Sequence, residues 1–244
     1  MAIETLRPNA HGDETSLSGQ IPIEDRFTIF TEYSVGEICR PYIYFDGRLD
    51  YECTTAGTSA NTEPIWNETI GGTTSSGTVV FTTRSIHWDK VDEAVADDDT
   101  TYVKNELTTL AYERDLYNLP ASSGSGTINK ITVYFRCKTA ANITGHMKAS
   151  IKSGTTVADG AEKTVTSEAV WETFSQEWAE NPDTETAWAW GDIDALQIGV
   201  SLYSIVGKSK SLAYCTQVYV EVDYTPSAAV PRHAFINFQG PGIF

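Results

Sequence analysis

The chain predicts an all-β fold: a jelly-roll-like β-sandwich with a small inserted β module and an extended C-terminal arm. Three observations predict it. Glycine, threonine and aromatic residues are plentiful while long apolar runs of helical period are scarce. Segments of strict apolar/polar alternation recur, separated by short clusters of Gly, Asn, Asp and Ser. The 244 residues are 41% apolar, enough to fill a core and too apolar for a disordered chain.

The alternation places the strands. From Ile128 to Lys138, Ile131, Val133, Phe135 and Cys137 point one way and Lys130, Thr132, Tyr134, Arg136 and Lys138 the other. Met147, Ala149 and Ile151 against Lys148, Ser150 and Lys152 give a second strand, ended by a turn at Ser153-Gly154. Val170 to Trp178 reads as another. Leu196, Ile198, Val200 and Leu202 follow, then Val218, Val220, Val222 and Tyr224, with Pro226 ending the last. Residues 122–126, 142–145, 181–183 and 207–211 read as polar turns. Between Tyr102 and Leu119 some apolar positions have helical spacing, but Tyr102-Val103 and Leu116 to Leu119 favour two strands joined by a loop.

A formal net charge of −16 argues against binding a phosphate backbone or an anionic membrane surface and favours solubility. No run of about 18 apolar residues is present, which predicts no membrane insertion. The first residues, Met1 to Pro8, lack the pattern of a signal peptide, so synthesis in a host cytoplasm is expected. Cys39, Cys53, Cys137 and Cys215 have neither CxxC pairing nor a histidine at zinc spacing, and buried free thiols are expected. Pairing of Cys39 with Cys53 after release into an oxidising medium is the alternative.

Little in the chain points to catalysis. Glycosidases need two carboxylates across a cleft, but among 33 acidic residues a pair such as Glu177 and Asp192 means nothing by itself. His11, His87, His146 and His233 are scattered, and Gly124-Ser125-Gly126 is not a phosphate loop. Asp97, Asp98 and Asp99 invite a calcium reading, yet three consecutive carboxylates cannot all face one ion, and a turn-forming role is preferred. No catalytic residue, metal ligand or cofactor is therefore assigned. Exposed Trp and Tyr faces would suit sugar rings. Trp66, Trp88, Trp171, Trp178, Trp188 and Trp190 read mainly as packing residues, with Trp188 and Trp190 on one face if extended, so no glycan contact is assigned.

Two stretches carry a resemblance. Tyr51-Glu52-Cys53-Thr54-Thr55-Ala56-Gly57-Thr58-Ser59, then Thr62-Glu63-Pro64-Ile65-Trp66, then Gly77-Thr78-Val79-Val80-Phe81-Thr82 resemble a Thr/Gly module repeated in tailed-phage structural proteins. Leu6-Arg7-Pro8-Asn9-Ala10, His87-Trp88-Asp89-Lys90-Val91-Asp92-Glu93, Asp97 to Val103, Arg114-Asp115-Leu116-Tyr117, Trp188 to Leu196 and Thr216 to Tyr224 resemble a β-sandwich domain of phage virion proteins. In that domain the first two segments lie almost adjacent; here the Thr/Gly module separates them. The resemblance therefore implies a discontinuous sandwich of residues 1–21 and 87–225, an inserted module of residues 22–86 projecting from a loop, and an arm of residues 226–244.

The arm carries Phe235, Ile236, Phe238, Ile243 and Phe244 beyond the last strand. These are the expected partner-docking residues, acting by strand addition to a neighbour. The resemblance implies a virion surface structural protein, a capsid decoration protein in preference to a tail fibre, with other virion proteins of capsid or tail as partners and a homo-oligomeric state. The alternative is a receptor- or glycan-binding tail protein that takes a host surface glycan; a glycan-cleaving enzyme is a distant third. Nucleic acid is not an expected partner.

Overall fold

The computed structural model describes residues 1–19, 26–42, 49–85, 87–105, 111–141, 143–166, 170–205 and 212–227. The strands are β1 (Ala2–Leu6), β2 (Ala10–Thr15), β3 (Ser18–Gly19), β4 (Glu32–Tyr33), β5 (Ile38–Cys39), β6 (Asp50–Thr55), β7 (Gly57–Thr58), β8 (Thr73–Ser76), β9 (Val79–Arg84), β10 (Val103–Lys104), β11 (Glu113–Asn118), β12 (Gly126–Thr139), β13 (Thr144–Ser153), β14 (Thr156–Asp159), β15 (Lys163–Thr166), β16 (Glu172–Trp178), β17 (Glu180–Asn181), β18 (Thr186–Ala187), β19 (Gln197–Ile205) and β20 (Ala213–Pro226). A 3-10 turn covers His87–Lys90, and a short helix, α1, covers Trp190–Asp194.

Two antiparallel sheets make the sandwich. One runs β16-β12-β20-β10-β3, with β1 also pairing β20; the other runs β14-β13-β19-β11-β2, with β15 also pairing β13. The alternation explains the layering. In β12, Ile131, Val133, Phe135 and Cys137 are buried, and Val218, Val220 and Val222 of β20 lie on the same inner side. They meet Met147, Ala149 and Ile151 of β13 and Ile198, Val200 and Leu202 of β19 in one cluster. The period-two pattern works because one face of each sheet meets the core and the other meets water. β20 runs through Pro226, which pairs with Gly126, one residue beyond the expected end of the sandwich. That position is tolerated because it closes the strand.

The chain changes sheet between β2 and β3; at the crossing the Ser16 amide still donates to Arg114 O at 3.0 Å, and a side chain meets both it and the Leu17 amide. Asp115 of β11 accepts both through Oδ1, at 2.7 and 2.9 Å. Its Oδ2 lies 2.7 Å from His87 Nδ1 and accepts from the Tyr117 hydroxyl at 3.3 Å. Asp115 is wholly buried, so every one of these partners offsets desolvation of a carboxylate. Burial and the neighbouring Asp115 push the Tyr117 hydroxyl well above the usual tyrosine range.

Residues 26–85 hold a second, smaller core. A four-stranded sheet, β5-β6-β9-β8, and the two-stranded β4-β7 sheet surround Phe27, Tyr33, Cys39, Tyr51, Cys53, Val79 and Phe81. Trp66 packs on this cluster, 4.3 Å from Tyr51 and edge-on to Phe27 at 5.3 Å. The Thr/Gly motif supplies the turns. Gly77, between β8 and β9, has φ +61, and a Cβ there would lie 2.3 Å from the Thr58 carbonyl, so a side chain is excluded twice. Arg40 and Asp50 form a buried ion pair in the same unit. The arm residues Phe235, Ile236, Phe238, Ile243 and Phe244 lie outside the described residues.

Candidate functional site

Among the described residues, a concavity opens in the small β unit. An open cleft of about 720 Å³ lies between residues 26–29, Tyr42 and residues 61–63. That is within the range of about 300–1,000 Å³ common for small-ligand sites.

One wall is the segment after Arg26, pinned from behind. The Tyr33 hydroxyl accepts the Thr28 amide at 2.8 Å, Ser59 Oγ donates to the Thr28 carbonyl at 2.8 Å, and the Phe30 amide donates to Ala60 O at 3.2 Å. The opposite wall comes from the Thr-Glu-Pro-Ile-Trp motif. Glu63 Oε1 accepts from Trp66 Nε1 at 3.0 Å and from the Tyr42 amide at 2.6 Å. One carboxylate oxygen thus ties the Tyr42 backbone to the partly buried Trp66. The Tyr42 ring itself is 65% exposed, with the Arg26 guanidinium 5.5 Å from its centroid.

The rim is unusually apolar for a solvated loop region. Ile29 and Tyr42, both lining the cleft, are exposed, and so are Phe30 and Ile65 in the chain segments that supply residues 26–29 and 61–63. Phe30 has φ +53, a left-handed conformation that costs a bulky side chain about 1 kcal/mol or more. Polar groups of Asn61 and Thr62 stand at the mouth. A second, smaller cleft of about 330 Å³ shares Arg26 and Thr28 and is lined by Glu32 and Glu37. The arrangement offers an aromatic face, an apolar floor and hydrogen-bonding groups at the edge. Among the described residues it presents no nucleophile with an adjacent base.

The other sequence candidates are engaged in the fold. Asp97 accepts from the Thr101 amide and hydroxyl and from Thr216 Oγ1. Asp98 holds Arg136 through two bonds of 2.6 and 2.9 Å, and Asp99 pairs with Lys138. Three partners in three directions explain the run as a turn anchored to β12 and β20. Glu177 pairs with Lys130, and Asp192 accepts the Ala189 amide at the start of α1. Trp171 and Trp188 are buried, while Trp178 and Trp190 pack partly buried on the main core. Trp188 and Trp190 do not share an extended face, because Trp190 opens α1; its ring lies over Gly124, and its Nε1 donates to Gly126 O at 3.0 Å. The glycines of Gly124-Ser125-Gly126 therefore make room for a tryptophan. On the outer face of the second sheet, Arg114 is spread over Glu14, Asp159 and Ser201, and Glu162 accepts from Tyr112 and meets His146 Nδ1 at 2.7 Å. That face is a closed polar ladder.

The Asp98–Arg136 pair carries a pH signature. The bonds from Arg136 hold the Asp98 carboxyl below its usual value. A depressed folded-state value stabilises the fold above the unfolded carboxylate value of about 3.9 and loses that contribution as pH falls through the folded one. The side chain is partly exposed, so the effect is within about 1 kcal/mol. Asp98→Asn is expected to lower Tm slightly at about pH 7 and to converge with the wild type as the pH falls through the lowered folded-state value, where protonation removes the pair; thermal denaturation across an acid pH series checks this.

Sequence reasoning missed Tyr42, Ile29 and the cleft-facing role of Glu63. The usable signal was Glu63 three residues before Trp66, a spacing that lets the carboxylate meet the indole nitrogen; nothing local tied it to Arg26 or Tyr42.

No family model and no curated protein matches the chain. Among solved structures it is similar to TmCBM61 in complex with beta-1,4-galactotriose, at 14% identity over 51% of this chain and 72% of that one, with a TM-score of 0.28. It is also similar to the CBM22-1 xylan-binding domain from Paenibacillus barcinonensis Xyn10C, at 8% identity over 88% of this chain and 99% of that one, with a TM-score of 0.29.

Proposed function

We propose that the protein is a non-catalytic glycan-binding protein whose sugar site is the cleft beside Tyr42. The observation that carries this is the exposed Tyr42 side chain, whose backbone amide is held by the same Glu63 oxygen that accepts from Trp66, on the wall of an apolar cleft lined also by Asn61 and Thr62. Sugar rings present apolar C–H faces to an aromatic ring and hydroxyls to the rim, and this cleft offers both chemistries. An aromatic side chain has only two torsions to freeze on binding, so it loses little side-chain entropy for the area it offers. Tyr42→Ala is expected to weaken glycan binding by about tenfold or more, about 1.4 kcal/mol, with little change in folding because the ring is exposed. A glycan microarray followed by calorimetric titration of the best binder checks this.

The sequence motifs support a second reading at a different level: a virion surface protein, assembled as a capsid decoration protein through Phe235, Ile236, Phe238, Ile243 and Phe244. Because Pro226 pairs with Gly126, the truncation that tests it ends at Ser227. The truncated chain is expected to keep its cooperative unfolding and to lose self-association and particle binding, as read by size-exclusion chromatography with light scattering. A truncated chain that assembles like the full one removes the arm from this role.

A further inference from the structure

Four cysteines are buried and reduced, and two of them are placed to react with each other. Cys137 of β12 stands directly opposite Cys215 of β20. Both are wholly buried on the inner side of the same sheet. The ladder fixes the kind of pair they form. The amide of Ala140 donates to Leu212 O at 3.0 Å, so the pair 140/212 is hydrogen-bonded. Alternation makes 138/214 hydrogen-bonded as well and leaves 139/213 and 137/215 unbonded across these two strands. The far side of β20 agrees: the amide of Asn105 donates to Ala213 O, which directs the backbone of Cys215 toward Val103 in β10. In such an unbonded pair the Cα atoms approach to about 4.5–5.5 Å and the side chains are at their closest. A disulfide needs about 4.4–6.8 Å. Cys39 and Cys53 are less well placed. Cys39 faces Tyr51, so Cys53 stands two residues off register, where diagonal neighbours lie about 7–8 Å apart.

We infer that Cys137 and Cys215 form a disulfide when the chain folds in an oxidising thiol buffer, stapling the end of β12 to the start of β20 inside the sandwich. The chemistry balances with glutathione disulfide as oxidant. One cysteine thiolate attacks it and releases a glutathione thiolate, and the second cysteine attacks the mixed disulfide and releases another. The two cysteine protons end on the two glutathiones; the cysteine pair is oxidised and the glutathione disulfide reduced. Because both sulfurs are buried in the native state, the exchange takes place during folding.

The test is to refold the full chain from denaturant in a reduced/oxidised glutathione buffer, alkylate remaining thiols, and measure intact mass and non-reduced peptides. The expected result is loss of two hydrogens, one linked peptide pair containing Cys137 and Cys215, alkylation at Cys39 and Cys53, and a Tm about 10 °C above the reduced protein, since the bond closes a long loop. The double variant C39A/C53A is expected to keep the linked pair, and Cys137→Ala to lose it. Should Cys137→Ala fail to fold, the double variant still decides. Four alkylated cysteines after oxidative refolding, or linked peptides that contain Cys39 or Cys53, would overturn the assignment.

Discussion

Asp115→Ala is expected to destabilise the protein by about 3–5 kcal/mol, the largest effect of any single polar substitution in the sandwich. The reason is positional. The chain leaves the second sheet after β2 and enters the first at β3, and the two amides at that crossing are met by one buried carboxylate. The same carboxylate holds His87, at the point where the chain returns from the small β unit, and the Tyr117 hydroxyl. Alanine leaves the buried Leu17 amide and the buried Tyr117 hydroxyl without this acceptor and the Ser16 amide with only its bond to Arg114 O. Asparagine restores one acceptor oxygen, so Asp115→Asn is expected to cost roughly half as much. Denaturant titration checks both: the midpoint shifts while the slope stays constant. A loss below about 1 kcal/mol for alanine would mean that water replaces the carboxylate at the crossing.

Phe81→Ala is expected to cost about 3–5 kcal/mol, confined to the small β unit. Phe81 is wholly buried, 5.1 Å from Tyr33, 5.4 Å from Trp66 and 6.2 Å from Phe27 by ring centroids. Removing it leaves a cavity that three aromatic rings and two backbone sheets cannot close. The cluster it belongs to has no member in the sandwich core, so the damage has no packed route into β12 or β20. Hydrogen exchange is expected to show lost protection across β6 and β9 with β12 and β20 unchanged, together with loss of glycan binding. Loss of protection in β12 and β20 as well would show that the two cores unfold as one.

Sequence and structure agree where a strand separates a dry face from a wet one. β12, β13, β19 and β20 were legible because each has several alternating residues, and a one-residue slip would bury Lys130 or Lys152. Two-residue strands such as β3 and β10 carry no period and escape such reading. Asp115 was also illegible: in Arg114-Asp115-Leu116-Tyr117 a buried acid looks like a solvent-facing one, since its partners come from residues 16, 17 and 87. Trp190 read as extended because nothing before it signals a helix; Asp192 caps α1 from inside the helix. The cleft combines segments around Arg26, Tyr42 and Glu63 that only the fold brings together. Trp66, packed partly buried behind it, was legible, while the exposed Tyr42 was not.

The most direct test of the account is titration of wild-type protein and Tyr42→Ala with the strongest ligand from a glycan array. The account predicts saturable binding by the wild type, about tenfold or more weaker in the variant, with both proteins melting at the same temperature. Equal affinity in the two, or no glycan bound by the wild type at all, would contradict it.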